Sequence, residues 1–129
     1  MCHIVYIAAD VDLPLVAGTD PPTFSVSALD HSDPSEDAVR RHLGDLPQVR
    51  ELGSATGCGC DFHADAGDAS RQRLVAYLGA LPAHARIALY SCWQSEWAGP
   101  VEETLRLPLS ALSQADAFAD HRLIIVQRP

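Results

Sequence analysis

Residues 87–92 spell an almost continuous apolar segment, Ile-Ala-Leu-Tyr-Ser-Cys, with the length of one β-strand. A strand with one solvated face alternates apolar and polar residues, whereas a strand that is apolar on both sides has to be covered on both faces. The segment therefore predicts a buried strand in a layered fold, which needs further elements to cover it.

Further strands are predicted along the chain from β-branched and aromatic content or from alternation. They are expected at residues 3–9, 24–29, 49–52 and 123–127. Leu105, Leu107 and Leu109 alternate with polar or proline residues and predict one more strand. Because proline donates no ladder hydrogen bond, Pro108 indicates an edge position or a bulge in that strand.

Two main helices are predicted between these strands. Asp33 is a suitable N-cap for the first, with Pro34 at the first helical position and Glu36 close behind it. Gly44 stands where a left-handed cap would end this helix. The second helix begins near residue 68, and Pro82 prevents it from continuing. Its apolar face consists of Leu74, Tyr77, Leu78 and Leu81.

The resulting element order mixes neighbouring strands with helical crossovers. It predicts an α/β fold of the α+β type, with a mixed sheet of about five to six strands and two main helices packed mostly on one face. A length of 129 residues fits one domain, so residues 1–129 are expected to form a single globular unit.

Composition excludes several classes of function. The formal net charge is −8, and the nine basic residues are scattered arginines, so we expect no nucleic-acid partner. The chain has no lysine, which excludes Schiff-base chemistry and a phosphate-loop lysine. No apolar run approaches the roughly 20 residues of a membrane span, so no membrane partner is expected. A protein partner or a homo-oligomer stays open.

The compartment affects how the four cysteines are interpreted. The first residues lack the basic region and cleavage site of a signal peptide, which predicts a cytoplasmic protein. Thiols stay reduced in the cytoplasm, so metal ligation, redox work or simple burial is expected before structural disulfides.

The segment from Gly57 to His63 carries most of the soft donors. Cys58, Cys60 and His63 lie within six residues, and Gly59 separates the two thiols. Together with Cys92 or Cys2, they would supply the sulfur and nitrogen ligands that suit zinc, iron or copper. The Cys-x-Cys pair has no second pair to complete a common zinc motif. The sequence predicts a loop here, and the hypothesis of a metal site requires the cysteines to converge in space.

The positions of Cys2 and Cys92 make such convergence plausible. Cys2 precedes the first predicted strand, and Cys92 ends the strand that begins at Ile87. If those two strands are adjacent and antiparallel, both cysteines lie at the same end of the sheet, where the loop with Cys58 and Cys60 can close over them.

Three other functions compete with metal binding. Cys58 and Cys60 could cycle between dithiol and disulfide. A cysteine nucleophile could use His63 as base, with Asp61 or Glu96 orienting the imidazole. In the third function, the protein is a non-catalytic interaction module, and its cysteines are buried for structural reasons only. The loop that carries Trp93 and Trp97 then contacts a protein partner.

The arrangement of several motifs resembles a group of small uncharacterised bacterial proteins. The shared features are a Met-Cys opening before an aromatic-rich strand, Leu52-Gly53-Ser54 followed by Gly57 to Cys60, and Tyr90-Ser91-Cys92-Trp93. The resemblance spans most of the chain. It implies a shared architecture and carries over no activity.

Overall fold

The computed structural model describes residues 2–17, 24–29, 35–54, 58–64, 66–97 and 99–127. Within those ranges the chain forms six strands: β1 (His3–Ala9), β2 (Phe24–Ala28), β3 (Gln48–Ser54), β4 (Ile87–Trp93), β5 (Glu103–Pro108) and β6 (Arg122–Gln127). The helices are α1 (Ser35–Leu43), the single turn α2 (Cys60–His63) and α3 (Asp68–Gly79). Two short 3-10 helices, Leu109–Ser113 and Ala115–Ala117, precede β6.

The six strands form one sheet in the order β2-β3-β1-β4-β6-β5. Strands β5 and β6 are parallel, and the other neighbours are antiparallel. The predicted α+β fold with a mixed sheet is confirmed. Proline at the end of β5 is tolerated because β5 is an edge strand, as Pro108 indicated.

Both faces of the sheet are covered, as the apolar segment of β4 required. Helices α2 and α3 and the 3-10 helices pack on one face through residues such as Phe62, Leu74 and Leu112. Helix α1 covers the other face with Val39 and Leu43. Most helical residues therefore lie on one face, and α1 supplies the second layer.

Several boundaries differ from the sequence predictions. The chain does not stay in a loop after β3, because Cys60 begins a helical turn. Leu109 leaves the predicted strand and starts a 3-10 helix. Gly44 has φ +74, which confirms the left-handed end of α1. The predicted cap at Asp33 and Pro34, and also Gly57, lie outside the described residues. None of the described helices is both long and apolar enough to cross a membrane.

Sheet register brings four chain segments to one end of the sheet. Strand β1 runs antiparallel to both β3 and β4, so β1 begins where those strands end. His3 lies opposite Trp93 in this register. Strand β6 is antiparallel to β4, with Ser91 opposite Arg122, so β6 also begins at this end. Residues just before β1 and β6 and just after β3 and β4 are therefore neighbours.

Candidate metal centre

Three cysteines meet at this end of the sheet. The Sγ atoms of Cys2, Cys58 and Cys60 all lie within 4.8 Å of one another, and all three residues are partly buried. Cys2 directly precedes β1, while the other two follow β3, which is the neighbour of β1. The group is positioned to hold a metal ion.

Hydrogen bonds to the end of β3 shape the turn that carries Cys58 and Cys60. Ser54 N donates to Cys58 O at 2.6 Å, and Ser54 Oγ lies 2.5 Å from the same oxygen. The same Oγ accepts the N–H of Asp61 at 3.1 Å. One serine thus holds both sides of the cysteine pair, which limits how far the two sulfurs can separate.

Gly59 allows the turn to lie directly against β1. Its N–H donates to His3 O at 2.8 Å, and a Cβ atom at this position would lie 2.8 Å from the same oxygen. Its φ is −89, so the residue is needed for close approach and not for a left-handed conformation. The glycine between the thiols therefore serves contact with the strand that follows Cys2.

Arg71 secures α2 from the side of α3. This arginine is 2% exposed, and its Nη1 donates to the main-chain oxygens of Asp61, Phe62 and Ala64 at 2.6–3.1 Å. Its Nη2 bonds Asp68 Oδ1 at 2.5 Å. A four-residue helix leaves its carbonyl oxygens without helical partners, and the guanidinium satisfies them. The helical turn that carries Cys60 is consequently anchored to the core.

The sulfurs interact with one another and with the main chain. Cys58 Sγ lies 3.1 Å from Cys60 Sγ, and His3 N donates to Cys60 Sγ at 3.2 Å. The pKa of Cys2 is raised, chiefly by its hydrogen bond to and charge repulsion from Cys58. The pKa of Cys60 is raised first by burial, although the His3 N–H opposes this. Crowded thiols of this kind resist ionising together unless a cation joins them.

Two imidazoles lie near the cysteine turn, but their nitrogens do not join the group of three sulfurs within 4.8 Å. The rings of His3 and His63 are 4.3 Å apart between centroids, and both contact the ring of Trp93. Two buried ring nitrogens, His3 Nδ1 and His63 Nε2, have no hydrogen-bond partner among the described residues. Since buried polar atoms are nearly always hydrogen-bonded, each of these two nitrogens is suited to accept a bond from a water molecule or to bind an ion.

The other nitrogen of His3 is held by Asp120. His3 Nε2 lies 3.1 Å from Asp120 Oδ1, and Trp93 Nε1 donates to Asp120 Oδ2. The turn that carries Asp120 is tied to β4, because Ser91 Oγ donates to Ala119 O at 2.6 Å. Both carboxylate oxygens are thus engaged, and the position of the His3 ring depends on a residue just before β6.

Burial keeps His3 uncharged. The side chain is 1% exposed, and burial lowers the pKa of His3 to about 4, with the neighbouring His63 acting in the same direction and Asp120 against it. A neutral imidazole carries a free lone pair on one nitrogen, as metal ligation requires.

Cys92 does not join the cysteine group. It is fully buried on the opposite face of β4, in the cluster with Tyr6 and Val39. The predicted adjacency of β1 and β4 is confirmed, with Ile4 opposite Cys92. Side chains alternate along a strand, however, so the thiol points to the α1 side. Burial raises its pKa to about 12.

Asp61 and Glu96, the residues that could orient His63 beside a cysteine nucleophile, both have other partners in the structure. Asp61 Oδ2 lies 3.0 Å from Ser54 Oγ, and Glu96 pairs with His121 at 3.5 Å. The raised pKa values of Cys2 and Cys60 are the opposite of what activates a cysteine nucleophile.

Both tryptophans are partly buried. Trp93 packs on the two histidine rings, and Trp97 packs against the apolar cluster on the α1 face. The exposed tryptophans that would favour an interaction surface are therefore not found.

Sequence reasoning missed His3 and Asp120. A weak signal existed for His3, because it shares the alternation of the buried residues Val5 and Ile7. No local signal marks Asp120, which lies 117 residues from its partner.

Comparison with models of protein families, with curated proteins and with solved structures finds no significant match. The comparisons therefore assign neither family nor function, and the resemblance to small bacterial proteins stays a prediction.

Proposed function

We propose that this protein binds a transition metal ion through the thiolates of Cys2, Cys58 and Cys60, with His63 as a nitrogen ligand. The observation that carries the proposal is the convergence of the three Sγ atoms within 4.8 Å from two distant parts of the chain, the residue before β1 and the turn after β3. Three donors of the same soft class are brought together at the cost of mutual repulsion, which a bound cation reverses.

His63 is supported by its place on α2. It lies one helical turn after Cys60, so the two side chains share a face of the turn. Its Nε2 is buried without a hydrogen-bond partner in the part of the chain that the structure describes, and it is a good ligand atom for zinc, copper or iron. The role that the sequence predicted for His63 therefore remains part of the proposal.

The donor set favours zinc among the three metals. Three cysteines and one histidine are a common set for four-coordinate structural zinc. Iron and copper accept the same donors, so the metal is identified by elemental analysis. In the cytoplasm, where we expect the protein, reducing conditions would keep the thiols available to the metal.

Elemental analysis tests the proposal. Protein purified without chelators or a metal-affinity tag is expected to carry one metal ion per chain. The variants Cys2→Ser, Cys58→Ser and Cys60→Ser are each expected to lose it. Cys92→Ala is the matched control, because it removes a thiol from the other face of the sheet, and it is expected to retain the metal. Metal-free wild-type protein that also fails to take up added zinc or ferrous iron would contradict the proposal.

A disulfide-forming function is the second candidate, because Cys58 Sγ and Cys60 Sγ are already 3.1 Å apart. Forming the bond removes two protons and two electrons, which an external disulfide oxidant would accept. The test is mass spectrometry of protein equilibrated with glutathione buffers. Reversible loss of two hydrogens, confined to Cys58 and Cys60 in metal-free protein, supports this function. Its absence across the cytosolic range of potentials contradicts it.

A further inference from the structure

We propose that metal binding at this centre is controlled by oxidation: a small external disulfide such as oxidised glutathione joins Cys58 to Cys60 and thereby releases the metal ion. This inference rests on the proposed metal function. It makes metal binding and disulfide formation two states of one site, where they otherwise stand as alternatives.

One pair of sulfur atoms serves both states. Cys58 Sγ and Cys60 Sγ are 3.1 Å apart, so a disulfide bond of about 2.05 Å requires them to approach by roughly 1 Å. The same two atoms belong to the group of three sulfurs within 4.8 Å. Because a metal binds thiolates and a disulfide has none, the pair cannot be oxidised and hold the ion at the same time.

The backbone at Gly59 brings the pair within reach of a disulfide. In an extended segment, residues two apart are separated by about 7 Å between Cα atoms, which is at the upper limit of about 6.8 Å that a disulfide tolerates. Gly59 has φ −89 and ψ 8, and Cys60 begins the turn α2, so the segment is bent and not extended. The two Cα atoms are therefore closer than they would be in a strand.

Oxidation of this pair removes half of the proposed ligand set. Only Cys2 and His63 would remain, whereas structural zinc is held by four protein ligands. Cys2 belongs to another segment, before β1, and keeps its thiol. Two ligands hold zinc far more weakly than four, and the ion is released.

Exposure directs the oxidant to this turn. Cys58 and Cys60 each keep part of their surface exposed, whereas Cys92 is fully buried. A small disulfide in solution therefore has access to the pair but not to the thiol on the α1 face of the sheet.

The reaction is balanced by the external disulfide. One thiolate of the pair attacks it, forms a mixed disulfide and expels one small thiolate. The second thiolate then attacks the protein sulfur of the mixed disulfide and expels the other small thiolate. Cys58 and Cys60 thus lose two electrons, the external disulfide gains both, and the metal ion leaves with its charge unchanged.

Coupling of this kind has a quantitative signature. If zinc binds only the reduced pair, zinc and the oxidant oppose each other reciprocally. Each tenfold rise in free zinc above its Kd should then lower the midpoint potential of the pair by about 30 mV, the value for a tenfold change in a two-electron equilibrium. Two independent reactions would give a midpoint that does not depend on zinc.

The experiment is a redox titration of the full-length protein in glutathione buffers at several buffered concentrations of free zinc. Alkylation followed by mass spectrometry measures the disulfide and maps the cysteines that form it. The expected product is the bond between Cys58 and Cys60, with a midpoint that falls as zinc rises. A midpoint that ignores zinc, a bond to Cys2, or no disulfide across the cytosolic range of potentials would each overturn the inference.

Two variants serve as controls. Cys2→Ser keeps the oxidisable pair but lacks a metal ligand, so its midpoint should not change over the same range of zinc. Cys92→Ala should behave as wild type. A zinc-dependent midpoint in Cys2→Ser equal to that of wild type would show that zinc acts at another place and would overturn the coupling.

Zinc uptake by the fully reduced wild-type protein separates this inference from the proposed function. If reduced protein takes up no zinc, both fail together. If it takes up one ion per chain while the midpoint stays constant, the control by oxidation is wrong and the metal site stands. Because the titration uses wild-type protein, this decision does not depend on the folding of any variant.

Discussion

The main-chain N–H of His3 donates a hydrogen bond to Cys60 Sγ across 3.2 Å, although the two residues are 57 positions apart. The bond joins the first residue of β1 to the first residue of α2. A metal that gathers the sulfurs would therefore also tie α2 to the sheet, which links the site to the stability of the fold.

We expect zinc to stabilise the protein against unfolding. Free zinc at 100 times its Kd should raise the free energy of unfolding by about 2.7 kcal/mol, because it binds the folded state. The measurement is urea denaturation with and without zinc. Cys60→Ser should lose the effect, and Cys92→Ala should keep it. Equal stabilisation of Cys60→Ser would show that zinc binds elsewhere.

Gly59→Ala should destabilise the protein by roughly 1–3 kcal/mol, the usual cost of overpacking. The added methyl would lie 2.8 Å from His3 O, and main-chain oxygen cannot move aside without shifting β1. Gly79→Ala is the control, because its Cβ would only approach Leu109 Cδ2 at 3.7 Å. Chemical denaturation of both variants checks the prediction. Similar stability for the two would mean that the turn adjusts freely.

Arg71→Met should lower the free energy of unfolding by roughly 3 kcal/mol, because several main-chain oxygens lose a charged donor. The main-chain oxygens of Asp61, Phe62 and Ala64 would each lose the hydrogen bond that Arg71 Nη1 donates. Arg73→Met on the exposed side of α3 is the matched control and should change stability little. Hydrogen exchange at residues 60–63 should accelerate in Arg71→Met alone. Unchanged exchange there would contradict the anchoring of α2 by this arginine.

Cys92 should make the fold sensitive to alkali. Its pKa is raised from the ordinary value of 9.0 to about 12 by burial. The unfolded state therefore loses this proton first, so its stabilising contribution is complete below pH 9 and is lost as pH rises toward 12. Urea titrations between pH 8 and 11 should give a shallower decline in Cys92→Ala than in wild type. Parallel slopes would mean that this thiol ionises as easily in the folded protein.

Much of the fold was predictable because local patterns determine it. Strand β1 and the start of β4 follow from apolar and β-branched runs, and α3 follows from the spacing of its apolar face and from Pro82. The strand order was not predictable, since it depends on pairings between distant segments. The helical turn at Cys60 was missed because the Arg71 side chain and Ser54 stabilise it, not the propensity of its four residues.

The candidate metal site was predictable in part, because two of its cysteines belong to one local motif. Cys58 and Cys60 are neighbours in sequence, and an antiparallel pairing of β1 and β4 was enough to bring Cys2 to the correct end of the sheet. Cys92 lies on the α1 face of the sheet, and a shift of one residue along β4 would place it on the other face. Because β4 is apolar on both faces, the sequence pattern did not distinguish the two positions. Asp120 reaches His3 only through the three-dimensional arrangement of β6.

The convergence of β1, β3, β4 and β6 at one end of the sheet also orders events in time. The cysteine group needs β1 beside the end of β3, while the support from Asp120 needs β4 and β6 in place as well. Contacts between such distant positions form slowly, because long loops must close first. Tight metal uptake during refolding is therefore expected only once β1 has docked beside β3, so that its rate reports how fast this long-range pairing forms.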